Sequence, residues 1–114
     1  MRKFSMTDSD LIRETCKLIC EEAKDDYVGL WSIGWIFREN FCEKDLFVIR
    51  KLTLEVVKEV MQKHLLFAGS FEENNFKRWT INTEQILHQI EKYWLDGGDI
   101  PGMGEIIWFE SIEK

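Results

Sequence analysis

Between Asp26 and Arg38 the chain runs eleven residues, Tyr27 to Phe37, without a charged side chain. No other stretch limits the fold as strongly. It is well short of the ~20 residues that a membrane-spanning helix needs, so its apolar groups must be buried in protein. Val28, Trp31 and Trp35 share one helical stripe, and Leu30, Ile33 and Phe37 share another. Two stripes predict a helix over residues 27–40 that is buried on most of its circumference. Gly29 and Gly34 weaken helix propensity by ~1 kcal/mol each, but a small residue in a buried helix also lets a neighbour approach.

Regular periodicity appears on either side. Thr7 reads as an N-cap, with Asp8 and Asp10 in the first turn, where the helix dipole favours carboxylates. Leu11, Ile12, Thr15, Leu18, Ile19 and Ala23 then predict an amphipathic helix over 8–24. The clearest helix is Asp45 to His64, with Leu46, Ile49, Leu52, Val56, Val60 and Met61 at three-to-four spacing. Leu65 to Phe71 is short, apolar and interrupted by Gly69, as a bent strand would be. Glu72 to Asn75 reads as a polar loop. Asn82 and Thr83 offer an N-cap to a helix carrying Ile86, Leu87, Ile90, Tyr93 and Trp94, with Gly97 at its C′ position and Pro101 beyond. Glu105 to Glu110 encloses Ile106, Ile107, Trp108 and Phe109, a strand expected to be buried on both faces. The two strands can pair antiparallel. The expected fold is a single α+β domain over 1–114, mainly helical, with about four helices, a small antiparallel sheet and a winged-helix-like order of elements. Trp31, Trp35, Trp94 and Trp108 are expected in its core.

Composition supports a packed domain: 45% of the 114 residues are hydrophobic, with five Trp and eight Phe. The net charge is −6, with 21 acidic against 15 basic side chains. Phosphate neutralisation needs Lys and Arg in excess on one face, so general nucleic-acid binding is disfavoured. A basic protein partner is permitted, because complementary fields speed encounter. The imbalance is local. Glu84 to Lys114 holds seven acidic residues against two basic ones. Residues 1 to 15 lack the apolar segment of a secretory signal, and Cys16, Cys20 and Cys42 are odd in number. Reduced thiols in the cytoplasm are the expectation.

Candidate chemistry is sparse. Cys16 and Cys20 stand four apart on one helix, but zinc would need two further ligands; small apolar core residues are the simpler reading. His88 lies at helical spacing from Glu84 and Glu91, a set that could do acid–base work but that also describes an ordinary exposed face. No nucleophile elbow, zinc-protease motif, P-loop or dinucleotide fingerprint occurs. The glycine-rich loop from Gly97 to Gly104 has no Lys or Arg to hold phosphate. For DNA recognition the 45–63 segment supplies Arg50, Lys51, Lys58 and Lys63, but Glu55 and Glu59 are interleaved with them, as on a salt-bridged solvated face. No metal and no cofactor is expected.

Five features recur between Gly29 and Phe109: Leu30-Trp31-Ser32-Ile33-Gly34-Trp35, Leu65-Leu66-Phe67-Ala68-Gly69, Phe76-x-x-Trp79, Ile90-x-x-x-Trp94, and Pro101-x-x-Gly104-Glu105-Ile106-Ile107-Trp108-Phe109. In these the chain resembles a family of small proteobacterial proteins that look like immunity proteins of contact-dependent and related polymorphic toxin systems. The resemblance implies a protein that binds a cognate toxin domain and occludes its active surface. It carries over no catalytic residue, since its motifs are apolar and aromatic. The expected function is therefore binding, not catalysis, with a toxin domain such as a basic nuclease as partner. Glu84, His88 and Glu91 on the helix, and separately Asp96 and Asp99 in the loop, are the expected contact residues. A winged-helix-like DNA-binding regulator and a small enzyme using His88 with Glu84 or Glu91 are the alternatives.

Overall fold

A computed structural model describes residues 7–102 and 106–112. The fold is α+β, as expected. The first helix, α1 (Asp8–Asp25), starts at Thr7, whose hydroxyl accepts from the Asp10 N–H while the Asp10 carboxylate accepts from the Thr7 N–H. This reciprocal cap satisfies two otherwise orphaned donors. The Thr7 backbone and hydroxyl bonds, with Arg13 close by, hold the Asp10 carboxyl below its ordinary range.

The segment expected as one helix over 27–40 divides in three. Val28–Gly29 forms a short strand, β1; Leu30–Trp35 forms α2; and Ile36–Asn40 continues as a π-helical turn. Leu30, Ile33, Gly34 and Phe37 face inward. Trp35 does not: it is 43% exposed, and the Arg38 guanidinium stacks 4.3 Å above its ring. The reason is angular. A helix this short buries one stripe, and Trp35 lies about 200° around from Ile33. Trp31 and Trp108 are half-buried, so only Trp94 is fully in the core among the four tryptophans expected there.

Helix α3 (Leu46–Gln62) is capped by Asp45, whose carboxylate accepts from the Phe47 N–H at 2.9 Å. Its buried stripe of Ile49, Leu52, Val56, Val57 and Val60 packs on Leu11, Ile19 and Ala23 of α1 in a single core. Complete burial of such side chains stabilises by ~1.5–3 kcal/mol each.

The chain then enters β2 (Leu66–Glu72). The residues expected as a polar loop instead make a two-residue turn into β3 (Asn75–Arg78). Glu73 and Asn74 both have positive φ, 50° and 67°, as a type I′ hairpin requires. Without Gly at either position the turn is easily missed in the sequence. Helix α4 (Thr83–Tyr93) follows, with Asn82 and Gln85 forming a second reciprocal cap. It ends at Trp94, whose extended backbone turns the indole inward, so Gly97 is not its C′ residue. Gly97, with φ 77°, sits in the turn closed by the Gly98 N–H to the Leu95 carbonyl. The last strand, β4 (Trp108–Ser111), is buried on alternate residues, not on both faces. Part of the expected strand, Glu105, lies outside the described residues.

Four strands, not two, make one antiparallel sheet in the order β1-β4-β2-β3. The β2–β4 pairing expected from the sequence is present, with Ala68 opposite Phe109. A hairpin following the third helix is what a winged helix would carry, but here β4 enters between β1 and β2. Leu66, Ala68, Phe109 and Val28 point into the helical core. The alternate residues point to the opposite side. Among the described residues no helix is long and apolar enough to cross a membrane.

Candidate functional site

Helix α4 presents two faces. Ile86 and Ile90 anchor it to the core, while Glu84, His88 and Glu91 are exposed. Among the described residues no hydrogen bond or ion pair engages these three side chains. Glu84 and His88 line one groove of about 590 Å³, together with Asn82, Gln85, Gln89 and Lys92. Glu91 lies outside it.

Gln89 also lines a second cleft, of about 450 Å³, with Trp79, Tyr93 and Ile106. Trp79 is fixed by its indole N–H, which donates to the Ser70 hydroxyl at 3.2 Å, and by its backbone N–H to the Ala68 carbonyl. Tyr93 is 62% exposed, with the Lys92 ammonium 5.4 Å from its ring centroid. Ile106 has φ 69°, an outlier for a β-branched residue and a conformation that only surrounding structure can impose. The two grooves give α4 a polar side and an aromatic side joined at Gln89.

The loop residues are placed differently. Asp96 faces Arg50, with Nη1 to Oδ1 at 3.7 Å. Arg50 also donates to the Trp94 carbonyl through Nε at 2.7 Å and to the Glu91 carbonyl through Nη2 at 3.4 Å. The guanidinium therefore ties the end of α4 to α3, leaving Asp96 mostly solvated. Asp99 is exposed without an ion pair among the described residues. Exposed apolar groups surround this loop: Leu95 and Phe47, the latter packed against Gly97, where an added Cβ would meet Phe47 Cζ at 2.7 Å.

Sequence reasoning placed Tyr93 in the apolar stripe of α4 and so missed it as a surface aromatic. The signal was available. The Asn82 cap sets the helix phase, and residues 86, 90 and 94 then face inward together.

Among the described residues His88 makes no hydrogen bond to Glu84 or Glu91, so the expected acid–base pairing is not formed in this structure. Among the described residues no group of three His, Cys, Asp or Glu could hold a metal ion. Cys16 is buried and Cys20 half-buried between α1 and its neighbours. Burial, and then the nearby Cys20 and Glu59, push the Cys16 thiol up to about 12, opposite to what a reactive thiolate needs.

Comparison with protein families, with curated proteins and with solved structures finds no match to this chain.

Proposed function

We propose that the chain is a binding protein of the immunity type, which docks α4 and the adjoining loop onto a cationic toxin domain in the cytoplasm and occludes its active surface. One observation carries this reading: α4 exposes an aromatic side chain, Tyr93, in one groove and, on another side of the same helix, the side chains of Glu84, His88 and Glu91, which no hydrogen bond or ion pair engages among the described residues. Aromatic anchors in small clefts supply most binding energy at protein interfaces. Surrounding charge steers encounter and selects partners. A basic nuclease domain, whose own substrate is polyanionic, would meet this surface with complementary charge.

DNA binding has less support. The exposed face of α3 alternates Lys51, Glu55 and Lys58, and the hairpin that would act as a wing carries Glu72 and Glu73 at its tip. Those carboxylates would face phosphate.

The test is binding kinetics against a toxin domain encoded beside this chain's gene, and a neighbourhood that encodes none would count against the reading. Tyr93→Ala should accelerate dissociation by ~10–30-fold. Glu84→Lys with Glu91→Lys, and Asp96→Lys with Asp99→Lys, should slow association and flatten its salt dependence. Wild-type kinetics in all three variants would remove α4 and the loop as the contact surface.

A further inference from the structure

The face of the sheet turned away from the helices is not bare. Tyr27, Phe71, Phe76 and Trp108 form a ring cluster, with centroid separations of 4.8 Å for Tyr27–Phe71, 5.0 Å for Tyr27–Phe76, 5.6 Å for Phe71–Phe76 and 5.3 Å for Phe71–Trp108. Strand register explains it. Phe71 pairs with Phe76 across the hairpin, and Trp108 pairs with Gly69 and Gly29 on its two sides. Gly69 is needed there, because a Cβ would meet the Lys77 carbonyl oxygen and Phe76 Cζ. None of the four rings belongs to the helical core or packs against it. Phe71 is 38% exposed and the other three are half-buried.

Charges of both signs flank these rings: Lys77, Arg78 and Glu110 line a groove with Tyr27 and Phe76, and further carboxylates lie at the other ends of the cluster. Asp25 and Asp26 immediately precede Tyr27, and Glu72 and Glu73 immediately follow Phe71. The Asp26 carboxylate accepts from the Tyr27 N–H. Asp25, Glu72 and Glu73 are exposed and have no cationic partner among the described residues. On the β3 side the Arg78 guanidinium is already neutralised by Glu110 at 3.1 Å, and lies 3.9 Å over the Phe67 ring. Lys77, on the edge strand, is the one cation near the cluster that no ion pair engages among the described residues. The face already seats one guanidinium over an aromatic ring, and the exposed Phe71 ring lies at the same face next to the hairpin carboxylates.

We propose that the aromatic face of the sheet is a second docking surface, which takes an arginine- or lysine-bearing segment of a partner protein by stacking its cations on the Tyr27–Phe71–Phe76–Trp108 cluster beside the Asp25, Asp26 and Glu73 carboxylates, with Glu72 at the end of the same hairpin. Rings favour a cation over their faces, more so when water is displaced. The same carboxylates oppose the two other occupants that an aromatic sheet face could take. A nucleic acid would bring phosphates against them, and a second copy would bring its own. This surface shares no residue with α4 or the Asp96–Asp99 loop, and it stands whether or not the reading of α4 holds.

The test uses the full chain and a short synthetic peptide alternating arginine and serine, with an oligothymidine strand and a glutamate-for-arginine peptide as the other arms. Tryptophan indole N–H resonances locate binding, because Trp108 lies in the cluster. The arginine peptide should shift the Trp108 resonance, and the other two ligands should not. Phe71→Ala, and separately Glu72→Lys with Glu73→Lys, should each weaken the peptide by ~10-fold, while Glu84→Lys with Glu91→Lys leaves it unchanged. Phe71 is exposed enough for Ala to be tolerated, and the lysine pair leaves every ring in place, so loss of folding does not confound both variants. Four outcomes would overturn the proposal: peptide shifts that follow α4, peptide binding unaltered by Phe71→Ala, preferential binding of oligothymidine, or a dimer in sedimentation that Phe71→Ala dissolves.

Discussion

Two tryptophans that look equivalent in the sequence differ most in the fold. Trp94 is 1% exposed, and its indole N–H donates to the Gly98 carbonyl at 3.1 Å. Trp94→Ala should cost ~3–5 kcal/mol through lost burial and cavity formation. Trp35→Ala should cost ~1 kcal/mol or less, because it gives up only partly solvated contact with Arg38. Denaturant midpoints decide it; equal losses for the two would place Trp35 in the core after all. Cys16 gives a prediction in pH. Its thiol titrates near 9.0 ordinarily and is pushed up to about 12 in the fold. The folded state thus keeps a proton that the unfolded chain has released. Stability is intact below about 9.0 and declines as pH rises towards about 12. Cys16→Ala should flatten that alkaline decline, measured by urea titration across the window; an unchanged decline would assign it to other groups.

At the scale of elements, the caps and the turns behave differently. Thr7, Asp45 and Asn82 each start a helix by accepting a backbone N–H, and all three are residue types whose oxygen suits that task. The β2–β3 hairpin has only half of such residue logic. Glu73 and Asn74 occupy left-handed backbone, which costs Glu73 ~1 kcal/mol or more, whereas Asn is among the few non-glycine types that adopt it readily. The strands hold the turn in place through Phe71 opposite Phe76 and Gly69 opposite Arg78. Replacing the pair by Asn-Gly (Glu73→Asn with Asn74→Gly) should therefore raise the unfolding free energy by ~1 kcal/mol. A fall in the thermal midpoint would show that the turn is not of this type.

For the whole molecule the governing fact is one-sided layering. Helices α1 and α3 cover one face of a four-stranded sheet, and the other face carries its own aromatic layer. Two-layer packing of this kind buries the core on one face of the sheet, and the aromatic layer on the other face is the second surface proposed above. Exposed carboxylates without an ion pair among the described residues occur both on α4 with its following loop (Glu84, Glu91, Asp99) and at the Tyr27–hairpin end of the sheet (Asp25, Glu72, Glu73). One small chain thus presents two candidate surfaces that can be mutated independently, since variants at separated sites act additively.

Local physics, written in the sequence, determined the helices that have both a cap and an unbroken apolar stripe. Thr7 with Leu11 to Ala23, Asp45 with Ile49 to Val60, and Asn82 with Ile86 and Ile90 each fix a helix and its buried side. The β2–β4 pair was legible too, because two apolar runs that are buried must pair their backbone groups, though its flanking strands β1 and β3 were not. The sequence placed Glu84, His88 and Glu91 on one exposed face for the same reason of helical phase. What it left open depended on long-range contact. Val28 and Gly29 become a strand only because β4 offers them partners, which breaks the long helix expected there and turns Trp35 outward. The β3 strand needs β2 before its positive-φ turn can form. The ring cluster needs three separate segments, around Tyr27, the hairpin and Trp108, brought to one face. No local spacing encodes that meeting; the strand order and register of the folded sheet decide it.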